Sequence, residues 1–303
     1  MSTDSTPAPA TTVIPGVTLT TGAGGLPAVA IDTPLASALL YLNGAHLARW
    51  RPRGHDEVLW LSTTSQYLPG KPIRGGVPLC WPWFGGHAQR PELPAHGFAR
   101  TSAWTLAASE ALPDGRVRIG LSLADDADSS RMWPHPFIVT FTVTVGESLE
   151  MELTVRNPGS APFTCEEALH TYFSVGDARR CAIHGLAGTT YIDKVRALQR
   201  FVEGAAPIAF TGETDRVYVD TGATCRLEDP VLKRTISVAK TGSKATVVWN
   251  PWIAKAKAMK DFDDEGWTGM ACIESANAAD AAITVAPGDE HRLNVQITVQ
   301  RHS

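Results

Sequence analysis

Hydrophobic residues recur at every second position over long stretches of the chain. From Val117 to Leu123 the apolar positions are Val117, Ile119, Leu121 and Leu123. From Phe137 to Val145 the same parity sets Phe137, Val139, Phe141, Val143 and Val145 on one face, with Thr140, Thr142 and Thr144 on the other. Leu149 to Val155 repeats the alternation with Glu150 and Glu152 facing out, and His291 to Gln300 aligns Leu293, Val295, Ile297 and Val299. Successive side chains of a strand point to opposite faces, so a period of two predicts half-buried β-strands. Turn-forming clusters separate them: Pro113-Asp114-Gly115, Val145-Gly146-Glu147 and Asn157-Pro158-Gly159. A helical period is scarce, and Ala254 to Lys260 reads as at most one short turn of helix. The pattern predicts an all-β chain of two antiparallel sheets packed face to face, with long loops over one side. There is no blade-length internal repeat, which disfavours a propeller.

Composition narrows the partners. The 303 residues are 44% hydrophobic and 19% charged, ample for a core. Residues 1–12, MSTDSTPAPATT, read as a disordered tail ahead of one β-sandwich domain over 13–303. The formal net charge is -4 and no block of Lys or Arg occurs, which counts against nucleic acid and membrane surfaces as partners. The first basic residue is Arg49, so we expect no secretory leader, and no apolar run approaches membrane-spanning length. Five cysteines (Cys80, Cys165, Cys181, Cys225, Cys272) lack CxxC spacing, which predicts free thiols and a cytoplasmic setting. Without HxH, HExxH or paired Cys/His spacing no metal is expected, and without a Gly-rich loop after a strand no nucleotide cofactor is expected. We expect a monomer that acts on a small molecule without a cofactor.

Several segments carry candidate chemistry. IRGGVPLCWPWFGG, Ile73 to Gly86, sets a single arginine, Arg74, before a stiff aromatic loop. If Ala161 to Val175 is one strand, His170 shares a polar and aromatic face with Tyr172, either as a ligand contact or as a hydrogen-bonded structural histidine. In Gly269 to Ala278, Glu274 falls on the face of Met270, Cys272 and Ala276. There it is either a buried carboxylate with a partner or a raised pKa, or a strand-end residue in solvent. A turn at Gly97 would bring His96 and Arg100 to one place; otherwise Arg100 is a surface residue. Trp81, Trp83, Trp249 and Trp252 lie beside Pro or in loops, where indoles could face a sugar or fill the core. The acidic run Asp261 to Glu265 lacks calcium-loop spacing and reads as a solvated loop.

In order, KPIRGGVPLCWPWFG, HGFAR, ALHTYFSVGD, GLAGTTYIDKV, ETDRVY, VVWNPW and MACIESANA run from Lys71 to about Ala278 and resemble the hexose-6-phosphate mutarotases, a branch of the aldose 1-epimerase family. The resemblance implies a galactose mutarotase-like β-supersandwich and an isomerase that interconverts the anomers of a sugar phosphate, glucose 6-phosphate foremost. It implies that His170 is the general acid and Glu274 the general base, on opposite sides of the pyranose. It implies that His96 contacts the sugar, that Asp193 binds a hydroxyl, and that Arg74 and Arg100 hold the phosphate. Phosphate-specific members often carry Gln before the His of HGxAR, where this chain has Ala95. The rivals are an aldose 1-epimerase acting on unphosphorylated sugars, a non-catalytic sugar-binding sandwich, and a glycoside hydrolase, which would need two carboxylates.

Overall fold

The protein is described by a computed structural model that covers residues 11–302. Most of the expected tail therefore lies outside the described residues; Thr11 and Thr12 already belong to a first strand, Thr11–Ile14. That strand opens a 5-stranded meander continued by Val17–Thr21, Pro27–Asp32, Ala36–Tyr41 and His46–Pro52. The alternating segments form an 8-stranded antiparallel sheet, in which Val117–Ala124, Ile138–Val145, Leu149–Arg156 and Glu290–Arg301 lie side by side. In register, Leu153 pairs with Phe141 on one side and Leu293 on the other, so one face is apolar across the whole sheet.

A second 8-stranded sheet is centred on Thr214–Val219, Ala245–Asn250 and Met270–Asn277. One core cluster takes Leu121, Phe141, Leu153 and Leu293 from the first sheet and Leu169, Phe173, Val248 and Ile273 from the second, so their inner faces pack together. A separate cluster, with Cys80, Tyr172, Val247, Trp249, Cys272 and Ala276, lies on the opposite face of the second sheet, under loops. That face carries the candidate chemistry. The predicted long strand from Ala161 to Val175 is broken into Phe163–Cys165, which pairs with Ile283–Val285, and Glu167–Leu169 and Tyr172–Ser174, which both pair with Met270–Asn277. Two helices stand out: Trp252–Ala258, near the expected turn, and Ala127–Met132, whose Asp126/Ser129 capping box went unread in the sequence.

A buried carboxylate anchors the strand that leads to His170. Glu167 Oε1 accepts from Asn277 Nδ2 at 2.8 Å and lies 3.0 Å from His291 Nε2, which joins the last strand to the second sheet. The hydrogen bond to Glu167 raises the His291 pKa above 6.5. A group whose folded pKa is raised adds stability that is complete below the unfolded pKa and is lost as pH rises through the folded one. Burial has the opposite effect on His46, lowering it to about 3, but that contribution is common to wild type and a His291 variant. We therefore expect wild type to exceed His291→Gln in urea midpoint most below about pH 6, with the gap narrowing toward about pH 8. A gap that widens with pH would refute the pairing.

Candidate active site

A cleft of about 380 Å³ opens on the loop-covered face of the second sheet. Its floor is set by strand register. Asp215 pairs with Trp249, Trp249 with Cys272, and Cys272 with Tyr172, a row across four strands on one face. Two residues along from Cys272, Glu274 projects from the same face, as the alternation predicted. It is 1% exposed and in mid-strand, which rules out the solvent-facing reading. His170 sits in the kink between Glu167–Leu169 and Tyr172–Ser174, its backbone N–H donating to Pro78 O at 3.0 Å. That places His170 Nε2 3.3 Å from Glu274 Oε1, both side chains almost fully buried. The two groups are side by side.

Loops supply the walls. Gly75 has φ 104°, and a Cβ there would lie 2.4 Å from Trp60 O, so only glycine lets the Arg74 segment lie against residues 60–61. At the opposite wall the chain turns through His96 (φ 65°) and Gly97 (φ 72°), as the HGFAR spacing required. His96 Nδ1 accepts from Gly85 N at 3.3 Å, which leaves Nε2 to carry the ring hydrogen and donate into the cleft. Arg100 donates from Nη2 to Ala95 O at 2.8 Å, so position 95 contributes its carbonyl even though its side chain is only a methyl. Arg74, His96, Arg100, His170 and Glu274 all line the one cleft.

Asp193 does not. Its carboxylate accepts from Val195 N and Arg196 N, at 3.0 and 3.1 Å, and closes the turn after its strand. The carboxylate on the cleft is Asp215, 3.2 Å from Lys194 Nζ and 3.9 Å from Lys255 Nζ. Both lysines line the cleft and were not singled out from the sequence, although Asp215 and Lys194 lie in the ETDRVY and YIDK segments. The loop expectation fails for two of the four tryptophans, since Trp249 lies in the strand Ala245–Asn250 and Trp252 opens the helix Trp252–Ala258; of the four, only Trp249 borders the cleft. Trp81 is fully buried against Phe98, Trp133 and Phe137, Trp83 belongs to the same core, and Trp252 packs on Trp267. The acidic run is not simply solvated: Asp261 pairs with Arg74, and Asp263 accepts from the side chains of Ser62 and Thr63.

Charge in the cleft is dominated by Arg74, Arg100, Lys194 and Lys255 against Asp215 and Glu274. Burial, then the fields of Arg100 and Arg74, hold the His170 pKa well below 6.5. Burial, then the nearby Asp215, push Glu274 well above the usual carboxylate range, further than the modest rise a general base would want. The directions converge on one proton for the pair, with the carboxyl favoured to hold it. His96 is likewise kept neutral, first by burial and next by Arg100. Two buried polar atoms, Arg100 Nε and Glu274 Oε2, have no hydrogen-bond partner, and a polar ligand would satisfy them. The ligand-type atoms of His170, Cys272 and Glu274 lie within 4.8 Å of one another. A dication there would face Arg74, Arg100 and Lys194, and burial keeps the Cys272 thiol protonated.

Comparison with known proteins agrees with this architecture. Residues 27–298 match the family described as aldose 1-epimerase. The chain is 38% identical over 252 residues to the Escherichia coli K12 protein named "Putative glucose-6-phosphate 1-epimerase", covering 83% of each. It is 36% identical over 269 residues to a protein of the same name from Cenchrus ciliaris, covering 86% of this chain and 80% of the relative. The structure of "a putative mutarotase (YeaD)" from Salmonella typhimurium superposes with a TM-score of 0.90 at 34% identity, covering 97% of both chains. A galactose mutarotase related enzyme from Lactobacillus acidophilus shares the fold at TM-score 0.71 and 16% identity, covering 91% of this chain and 97% of its own. With its all-β supersandwich and its cleft residues drawn from the segments of the resemblance, the chain belongs to the aldose 1-epimerase family.

Proposed function

We propose that this protein interconverts the α and β anomers of a hexose 6-phosphate, glucose 6-phosphate foremost, with His170 and Glu274 moving the protons. The observation that carries the proposal is the buried contact of His170 Nε2 with Glu274 Oε1 at 3.3 Å, in a cleft that also holds Arg74 and Arg100. The names of the curated relatives point to the same substrate. We place the activity in the cytoplasm and in the monomer; among the described residues no helix is long and apolar enough to cross a membrane.

Ring opening needs a proton delivered to the ring oxygen and one removed from the C1 hydroxyl. Both oxygens are bonded to C1, so an acid and a base that touch each other can serve both from one side. His170 gives its proton to the ring oxygen as the C1–O bond breaks, and Glu274 takes the hydroxyl proton as the aldehyde forms. The pair holds one proton before and after, so no exchange with water is required. Rotation about C1–C2 and the reverse transfers close the ring as the other anomer. Before opening, the proton must sit on His170, and the cations opposing that are the ones a phosphoryl group would neutralise. The substrate's own charge thus favours the working protonation state. His96 donates to a sugar hydroxyl, Asp215 accepts from another, and Arg74 and Arg100 hold the phosphate. Acid–base help of about 10²–10⁴-fold suffices, because the reaction also proceeds in water.

His170→Ala or Glu274→Gln should reduce α/β exchange of glucose 6-phosphate by about 10²–10⁴-fold in kcat, measured by NMR saturation transfer. Full activity in either variant would end the acid–base assignment. Arg74→Ala should lower kcat/KM for glucose 6-phosphate by about 10–100-fold, the loss of a hydrogen-bonded charge, while changing that for glucose far less. Equal losses on both sugars would instead favour an unphosphorylated substrate.

The pH profile has a defined shape. With the His170 pKa lowered, a second proton joins the pair only below the ordinary imidazole range. For glucose, which does not titrate, kcat/KM should have its acid limb below about 6.5, the ordinary imidazole value. An acid limb above that value would mean that His170 is not held down in the free cleft.

A further inference from the structure

Tyr172 is not in the wall of the cleft, yet it touches both ends of the site. It is 1% exposed. Its ring stacks on His170, with centroids 4.8 Å apart and planes 12° from parallel. Trp60 covers the other side of the ring at 5.8 Å and 20°, and Trp249 meets it edge-on at 5.7 Å. The backbone is fixed as well: Tyr172 N donates to Gly76 O at 2.9 Å, and Trp60 N donates to Tyr172 O at 2.9 Å. The ring cannot turn without moving the imidazole or the indole beside it.

The hydroxyl is committed to the other end. Tyr172 Oη accepts from Arg74 Nη1 at 3.1 Å. The rest of that guanidinium is held from the side, Nε donating to Asp261 Oδ2 and Nη2 to Asp261 Oδ1, both at 3.2 Å. A guanidinium has five N–H donors in a rigid plane, so these three contacts fix its orientation and leave two free. Fixing the plane before ligand arrives spares the rotamer entropy that a free arginine would lose on binding.

From this geometry we infer that Tyr172 is a positioning residue that aims the Arg74 guanidinium at the substrate's phosphoryl group and holds the plane of the His170 ring. One buried side chain then sets the separation between the phosphate-holding and proton-transferring ends of the cleft. The inference rests on the sugar-phosphate reading above. It also explains why the acidic run begins with Asp261: that carboxylate supplies the second clamp on Arg74.

The test separates hydroxyl from ring. Tyr172→Phe removes only the oxygen and keeps the stack, so affinity for inorganic phosphate, followed by calorimetry, and the KM for glucose 6-phosphate should each weaken about tenfold, with a smaller change in kcat. Tyr172→Leu removes the ring and should lower kcat on glucose and glucose 6-phosphate alike. If the Leu variant does not fold, the Phe variant decides alone. Wild-type phosphate affinity in Tyr172→Phe, or a kcat loss with KM unchanged, would overturn the inference. Wild-type protein that binds phosphate but accelerates neither sugar would end the anomer-exchange proposal, while the phosphate comparison would still judge Tyr172. Wild-type protein that binds no phosphate would overturn both.

Discussion

The site depends on one constraint: a carboxyl group carried by a strand that is buried along its whole length. Every residue of Met270–Asn277 is buried, so Glu274 has no route to bulk water except through the cleft. An ionised carboxylate there would be costly unless paired, and a neutral one still needs a hydrogen-bond partner. His170 meets the need because the chain kinks between two short strands and turns its ring toward Glu274. The stack on Tyr172 and the nearby Cys272 thiol, 3.8 Å from Nδ1, leave the imidazole little freedom. The contact between His170 and Glu274 is thus a consequence of how a central strand can be buried.

The surrounding charges follow a similar economy. Four cations in one small cleft would repel each other, and the protein spaces them with carboxylates rather than with water. Asp261 holds Arg74, and Asp215 lies between Lys194 and Lys255. Arg74 and Asp261 are only about one-fifth exposed, at 20% and 22%, so their attraction is screened less than that of a surface pair. Arg100 is arranged differently, with a backbone carbonyl for Nη2 and no partner for its buried Nε. Arg74 has its plane fixed by two partners with N–H groups still free, and Arg100 is held at one point, which suits a fixed fork working beside a group that completes its bonding on the ligand.

Much of the fold was legible because it rests on a local signal. Alternation marked Val117–Ala124, Ile138–Val145, Leu149–Arg156 and Glu290–Arg301, and it put Glu274 on the right face. It misled where register changes. Ala161 to Val175 keeps its parity but not its partners, because the strand is handed from Ile283–Val285 to Met270–Asn277 partway along. Site residues at a turn required by glycine, such as His96 and Arg100, could be found from spacing. Asp193 and Asp215 could not be told apart in that way. Both are buried acids on neighbouring strands, and only the three-dimensional arrangement shows that one closes its own turn while the other reaches the cleft. Proline beside tryptophan was ambiguous for a related reason: Trp81 fills the core from a loop, and a loop can enter a core wherever two sheets leave room at their ends.

The pairing of a depressed histidine with an elevated carboxyl is easily taken for an inactive arrangement, since His170 is meant to be the acid. It is better understood as a resting state. Burial is the largest cause of both shifts, but the charges divide: Arg100 and Arg74 add to burial at His170, whereas at Glu274 Asp215 adds to it and Lys194 and Arg100 oppose it. Burial persists when a sugar enters, because the sugar replaces any water in the cleft. The field of the arginines does not, because a phosphoryl dianion set against them offsets it at the imidazole. A phosphoryl group set against the arginines therefore favours the proton on both members of the pair, and acts on His170 through Arg74 as well as Arg100. A cleft built in this way would leave the proton away from His170 more often with free glucose than with a sugar phosphate, so discrimination would arise in turnover as well as in binding.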